Sequence, residues 1–209
     1  MTDAKLPNLV VAISGPSGAG KTSLVQKVTE RLEDAVALHF DDYATVSTYP
    51  TNFAQWVSEG ADPNQWKTPQ LIQDLSALRR GESIVLPIRK RTLHPARFVI
   101  VEEPFGRKRA GMTHLIDFVV FVDLPLEMAL ARRLLRDAEW CLKEKSAEYL
   151  SIYLKEYLTN YLTNGMRDMY FEVTEMVLKD CDLKLNGRKA LNKLSDKVIA
   201  ALQERTKGL

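Results

Sequence analysis

Apolar residues fall into short unbroken runs, separated by stretches with helical spacing. Leu9-Val-Val-Ala-Ile13 is apolar at five successive positions and stops at Ser14-Gly15, the pattern of a strand buried on both faces. Val36-Ala-Leu-His-Phe40, Phe98-Val-Ile-Val101 and Phe118-Val-Val-Phe-Val122 repeat it, and Asp182-Leu-Lys-Leu185 is a weaker fifth. After the first run Leu24, Val28 and Leu32 recur every four residues, which makes one apolar helix face. A last helix is predicted from about Arg188 to Glu204. Strands alternating with helices predict an α/β fold, a doubly wound parallel sheet with right-handed crossovers. Ligands of such sheets bind beyond the carboxyl ends of the strands. Those ends here carry Gly15, Asp41, Glu102 and Asp123, three of them carboxylates.

Two stretches break the alternation. Residues 43–97 are long for a crossover, rich in aromatics and punctuated by Pro63 and Pro69; a helix is expected from Pro69 to Arg80 and an apolar piece from Ile84 to Ile88. The second is a repeat of four, Tyr149-Leu150, Tyr153-Leu154, Tyr157-Leu158 and Tyr161-Leu162, with Gly165 as its expected helix end. At 100° per residue each step of four overshoots by about 40°, so the stripe winds about 120° around its helix. That drift is too fast for a heptad seam. The stripe packs against its own domain or forms a dimer surface.

Composition narrows the class. With 209 residues and 45% hydrophobic positions the chain buries a core without disulfide or metal, and disorder is excluded. Twenty-nine basic against 27 acidic residues leave a net charge of +2, which argues against a general nucleic-acid binder. Cys141 and Cys181 make neither a framework nor a metal spacing, as in a reducing compartment. The Met1 end shows no charged segment followed by an apolar stretch, so no leader is expected. No apolar run is long enough to span a bilayer. The expectation is one cytoplasmic domain over residues 1–209, with a small-molecule partner, no nucleic acid and no membrane, and an open question about homo-oligomers.

The chemistry starts after the first strand. Gly15-Pro16-Ser17-Gly18-Ala19-Gly20-Lys21-Thr22 matches G-x-x-x-x-G-K-[ST] between a predicted strand and a predicted helix. Such a loop turns its N–H groups toward phosphate oxygens, and the helix N-terminus adds its positive dipole end. Lys21 should reach the outer phosphates, and the Thr22 hydroxyl should sit on Mg²⁺. Residues 15 to 22 with Ser23 are therefore the predicted nucleotide site, for ATP or GTP. No Asn-Lys-x-Asp guanine signature is present, and the size leaves no room for motor modules.

The phosphate loop, the Asp41-Asp42-Tyr43 strand end, the Glu102 strand end and Arg132-Arg133-Leu-Leu-Arg136-Asp137 together resemble uridine kinases. More broadly they look like the uridine kinase, nicotinamide riboside kinase and phosphoribulokinase group of P-loop kinases. The resemblance covers most of residues 8 to 137. It implies a three-layer α/β/α fold whose five parallel strands lie in the order 2-3-1-4-5, with a helical lid and following helix at about 132–165. It also implies that Asp41 is the catalytic aspartate and that Glu102 holds Mg²⁺ through water. Arg132 and Arg136, four apart on one helix face, would be lid arginines closing over ATP phosphates. The bland alternatives are a turn cap for Asp41 and a solvated helix face with Arg133 paired to Asp137.

Departures bear on the acceptor. The family's aromatic-Asp-x-Pro segment is here Trp66-Lys67-Thr68-Pro69, and the Tyr-Asp that often follows the apolar piece is Arg89-Lys90. Asp42, Tyr43, Trp66, Lys67, Arg89 and Arg107 are the candidate acceptor contacts. Tyr43, Tyr49, Phe53, Trp56 and Trp66 could stack a base or belong to the core. The basic replacements suggest an anionic acceptor or, alternatively, solvated surface charges. Uridine or cytidine is the acceptor that the resemblance favours. The rivals are another small alcohol, of pantothenate, glycerate or sugar-phosphate type, and a nucleotide-binding regulator without transfer activity.

Overall fold

The computed structural model of the chain describes residues 8–207. Strand β1 (Leu9–Ser14) leads into helix α1 (Lys21–Arg31), strand β2 (Ala35–Leu38) and a 3₁₀ helix at Phe40–Val46. The insertion holds α2 (Phe53–Ser58), a 3₁₀ turn at Pro63–Gln65, α3 (Pro69–Arg79) and the strands β3 (Ile84–Val85) and β4 (Thr92–Leu93). Then come β5 (Phe98–Glu102), β6 (Phe118–Asp123), α4 (Leu126–Glu144), α5 (Ala147–Thr163), α6 (Met166–Leu178), β7 (Leu183–Asn186) and α7 (Leu191–Thr206).

Five strands form one parallel sheet in the order β2-β5-β1-β6-β7, the expected 2-3-1-4-5 in strand sequence. All six residues of the central β1 are buried, which explains its unbroken apolar run. Its side chains alternate between two cores. Val10 and Ala12 face the side packed by α3 and α6, whereas Leu9, Val11 and Ile13 face α1 and α7. Leu24 and Val28 of α1 are fully buried there, each such side chain contributing about 1.5–3 kcal/mol.

Several boundaries differ from the expected ones. β2 stops at Leu38, because Asp42 N–H already bonds His39 C=O in the 3₁₀ turn that carries Asp41. The insertion is more structured than its pattern: α2 is capped by the Asn52 side chain, which accepts from Gln55 N–H, and the apolar piece folds back as the β3–β4 hairpin. Helix α6 has no counterpart among the expected elements. Gly165 separates it from α5 at φ 70°, and any Cβ at that position would overlap the Ala54 backbone of α2.

The tyrosine stripe starts exposed at Tyr149 and turns inward along α5. Tyr157 and Tyr161 are buried, and successive rings from Tyr153 to Tyr161 stack along α5, while Leu162 is exposed. No helix among the described residues is long and apolar enough to cross a membrane.

Candidate active site

Beyond the carboxyl ends of β1, β2 and β5 lies a cavity of about 440 Å³. Its near end is the loop after β1. Ala19 N–H bonds Pro16 C=O and closes the turn, and Gly20 precedes the first residue of α1. Gly18 sits at φ 89° against the first turn of α4, where a Cβ would overlap the Ala129 carbonyl oxygen. Gly15, Pro16, Ser17, Gly18, Gly20, Lys21, Thr22 and Ser23 line the cavity, whereas the Ala19 side chain points into the core below.

Lys21 is 9% exposed, with Nζ 3.2 Å from Pro16 O and 3.6 Å from Glu102 Oε1. Burial lowers its pKa, opposed by the charges of Glu102 and Asp41. Thr22 Oγ1 donates to Glu102 Oε2 at 2.9 Å, and His39 Nδ1 lies 3.5 Å from the same oxygen. Burial alone would raise the Glu102 carboxyl; the His39 hydrogen bond, the Lys21 charge and the Thr22 hydroxyl instead hold it below its ordinary value. Asp41 lines the cavity with these groups. Hydroxyl plus carboxylate is the donor set that Mg²⁺ takes, and no group of three or more His, Cys, Asp or Glu side chains among the described residues forms a complete cage.

Helix α4 supplies three arginines to one wall. Arg132 Nη1 donates to Gly187 O at 3.0 Å, and Arg136 donates to Asp137 Oδ1 at 2.8 and 3.0 Å. Arg133 donates to Ser17 Oγ of the loop, pairs with Asp137 at 3.3 Å and lies 4.9 Å above the Tyr157 ring. Four cations thus line the cavity that the anion-binding loop opens onto.

The rest of the lining is of another character: Phe40, Phe53, Trp66, Pro104 and Phe105, with Met166, Met169, Tyr170, Val173 and Thr174 of α6. Trp66 is stacked on Phe53 at 6.0 Å and tilted against Phe105 at 5.3 Å. Beneath this wall Arg109, 2% exposed, pairs at 2.5 Å with Glu103, which is fully buried. The same guanidinium donates to Trp66 O and Thr68 Oγ1 and lies over the Phe40 and Phe105 rings. Burial raises the Glu103 carboxyl, and Arg109 opposes this.

The model of the phosphoribulokinase / uridine kinase family matches residues 10–141. The chain belongs to this family. It is accordingly a kinase, a phosphotransferase with a hydroxyl acceptor. A uridine kinase of Macrococcus caseolyticus is 30% identical over 142 residues, 62% of this chain and 69% of the relative. One of Staphylococcus haemolyticus is 28% identical with the same coverage. Among solved structures, a possible uridine kinase from Bacillus stearothermophilus superposes with a TM-score of 0.52 at 19% identity, covering 87% of this chain and 90% of that one, a likeness of fold.

Within this kinase the expected acceptor contacts scatter. Trp66 is on the cavity wall, but Lys67 next to it pairs its backbone with Thr48 in an extended bridge and so points the other way, exposed. Arg89 does not face the cavity: its Nε donates to Asp42 Oδ1 at 2.7 Å, and Asp42 is itself buried behind Asp41. Tyr43 is a core residue whose hydroxyl donates to Asp74 at 2.8 Å, and Trp56 is equally buried. Arg107 lies at the opposite edge of the sheet, paired with Asp182 at the amino end of β7. Two residues on, Arg109 is the arginine of that loop beneath the site. Among the lid arginines the expectation favoured Arg132 and Arg136, yet Arg133 is the one that touches the loop while also pairing with Asp137.

Proposed function

We propose that the protein transfers the γ-phosphoryl group of ATP to the hydroxyl of a neutral alcohol bearing a flat ring, a nucleoside of uridine or cytidine type. The observation that carries the reading is the aromatic and thioether part of the cavity lining, Phe40, Phe53, Trp66, Phe105, Met166 and Met169, while the lining cations come from the phosphate-loop lysine and α4. Rings and methionine sulfur suit a planar heterocycle. Of the basic residues that suggested an anionic acceptor, Lys67 is turned away and Arg89 is already paired, which speaks against that rival.

Asp41, which lines the cavity and whose charge reaches Lys21, is the proposed base that takes the acceptor hydroxyl proton as its oxygen bonds to the γ-phosphorus and the bond to the β-phosphate oxygen breaks. Lys21, with Arg132, Arg133 and Arg136, would offset charge on the outer phosphates. Thr22 and Glu102 would hold Mg²⁺, which supplies charge neutralisation between the phosphates when bound. The arginine-bearing segment of α4 and α5 is the proposed lid, excluding water that would otherwise hydrolyse ATP. The segment 43–97 is the acceptor side of the same kinase unit.

A coupled ADP-release assay tests this, with Mg·ATP and a panel of uridine, cytidine, other nucleosides and small hydroxy acids, and with Asp41→Asn as control. The expected result is turnover on a pyrimidine nucleoside, lost by roughly 10²–10⁴-fold in Asp41→Asn while ATP affinity stays within a few-fold. Turnover confined to hydroxy acids or sugar phosphates would refute the acceptor assignment, and silence across the panel would refute transfer.

A further inference from the structure

The tyrosine repeat has no task in the reaction, yet its rings meet the arginine that touches the phosphate loop. The Tyr153 hydroxyl donates to Asp137 Oδ2, the oxygen that also pairs with Arg133 Nε at 3.3 Å. The Tyr157 ring lies 4.9 Å beneath the Arg133 guanidinium, whose Nη1 reaches Ser17 of the loop. Ring centroids continue at 5.9 Å from Tyr153 to Tyr157, 6.5 Å to Tyr161 and 6.4 Å to Tyr170 of α6. Spacing by four explains the path. A drift of about 40° per step carries the stripe from the side of α5 that meets α4, at Tyr153, to the side that meets α6, at Tyr161. A 3–4 alternation would have kept all rings on one neighbour.

Arginine is a long, flexible side chain, and fixing it ahead of the ligand removes part of the ordering cost of binding. Arg133 is fixed on three sides: a carboxylate, a ring face and the loop hydroxyl. Burial would raise the Asp137 carboxyl, but the Tyr153 hydroxyl and Arg136 hold it below its ordinary value, so the partner stays charged. We propose that Tyr157 and Tyr153 are positioning residues that hold Arg133 over the phosphate loop as the preset clamp for the nucleotide phosphates. This rests on the kinase reading above.

The test is a double-mutant cycle read by the Kd for Mg·ATP from titration calorimetry, on wild type, Arg133→Met, Tyr157→Leu and the double variant. Each single change is expected to weaken Mg·ATP about tenfold, and the double no further than Arg133→Met alone, because the ring acts only through the arginine. Tyr157→Phe, which keeps the ring face, should restore most of the affinity. Tyr153→Phe combined with Arg133→Met serves as a second cycle should Tyr157→Leu not fold, with the same non-additivity expected. Independent losses that multiply toward a hundredfold in either double variant would overturn the proposal, as would wild-type affinity in Tyr157→Leu. If the wild-type protein bound no Mg·ATP, the kinase reading would fall and this one with it; binding with additive losses would fell this one alone.

Discussion

Replacing Arg109 by methionine should destabilise the protein in a manner that depends on pH. The side chain is 2% exposed and its partner Glu103 is fully buried, so the change leaves a carboxylate without a counter-charge between the sheet and the aromatic wall. Breaking a buried pair on one side costs about 3–5 kcal/mol. At about 2–4 °C per kcal/mol for a chain of this size, Tm should fall by roughly 6–20 °C. The sign with pH follows from Glu103. Burial already raises its carboxyl in the fold, and loss of Arg109 removes the charge that opposed this. A folded pKa above the unfolded value of about 4.3 contributes stability that is complete below the unfolded pKa and is lost as pH rises through the folded one. The deficit of Arg109→Met should therefore be small near pH 5 and widen toward neutrality, by at most about 1.4 kcal/mol per pH unit. Thermal unfolding from pH 5 to 8 reads this directly, with Glu103→Gln/Arg109→Met expected to recover most of the loss and flatten the pH dependence. A deficit that is constant with pH, or a double variant worse than the single, would refute the argument. Since the same guanidinium holds Trp66 O and Thr68, the KM for the acceptor should rise more than the KM for ATP.

Three further outcomes follow from the same geometry. Gly18→Ala places a Cβ on the Ala129 carbonyl at a positive φ, so Mg·ATP affinity measured by calorimetry should fall at least tenfold as α4 is pushed off the loop. Trp66→Ala should raise the acceptor KM by about tenfold or more, since stacking of a base on an aromatic is worth about 1–3 kcal/mol, and leave the KM for ATP within about twofold. Lys67→Asp should leave both KM values unchanged, because its side chain points away from Trp66; a tenfold effect on the acceptor would restore the anionic reading.

What could be read from the chain, and what could not, follows from how far apart the cooperating residues lie. The phosphate loop is eight consecutive residues whose function is carried by their own backbone, and a parallel sheet delivers the carboxylates at its strand ends to one edge. Both are local consequences of local patterns. The aromatic wall is assembled from Phe40, the 53–66 segment, Phe105 and α6, four separate stretches. Each of its rings taken alone reads as core, which is the fate of Tyr43 and Trp56. Two signals were nevertheless available. Trp66 and Lys67 are adjacent in extended chain, so at a period of two they cannot both face one ligand. And Glu103, following a fully apolar strand and another glutamate, has to find a cation if it is buried, which points to a basic residue in the loop after it. Choosing Arg109 over Arg107 needs the fold, since one packs under the wall and the other runs to the far edge of the sheet. The basic departures from the family pattern therefore sit differently: Arg89 pairs with Asp42, Lys67 stays exposed, and neither lines the cavity. A charge substituted at a motif position changes specificity only where its side chain still points at the ligand.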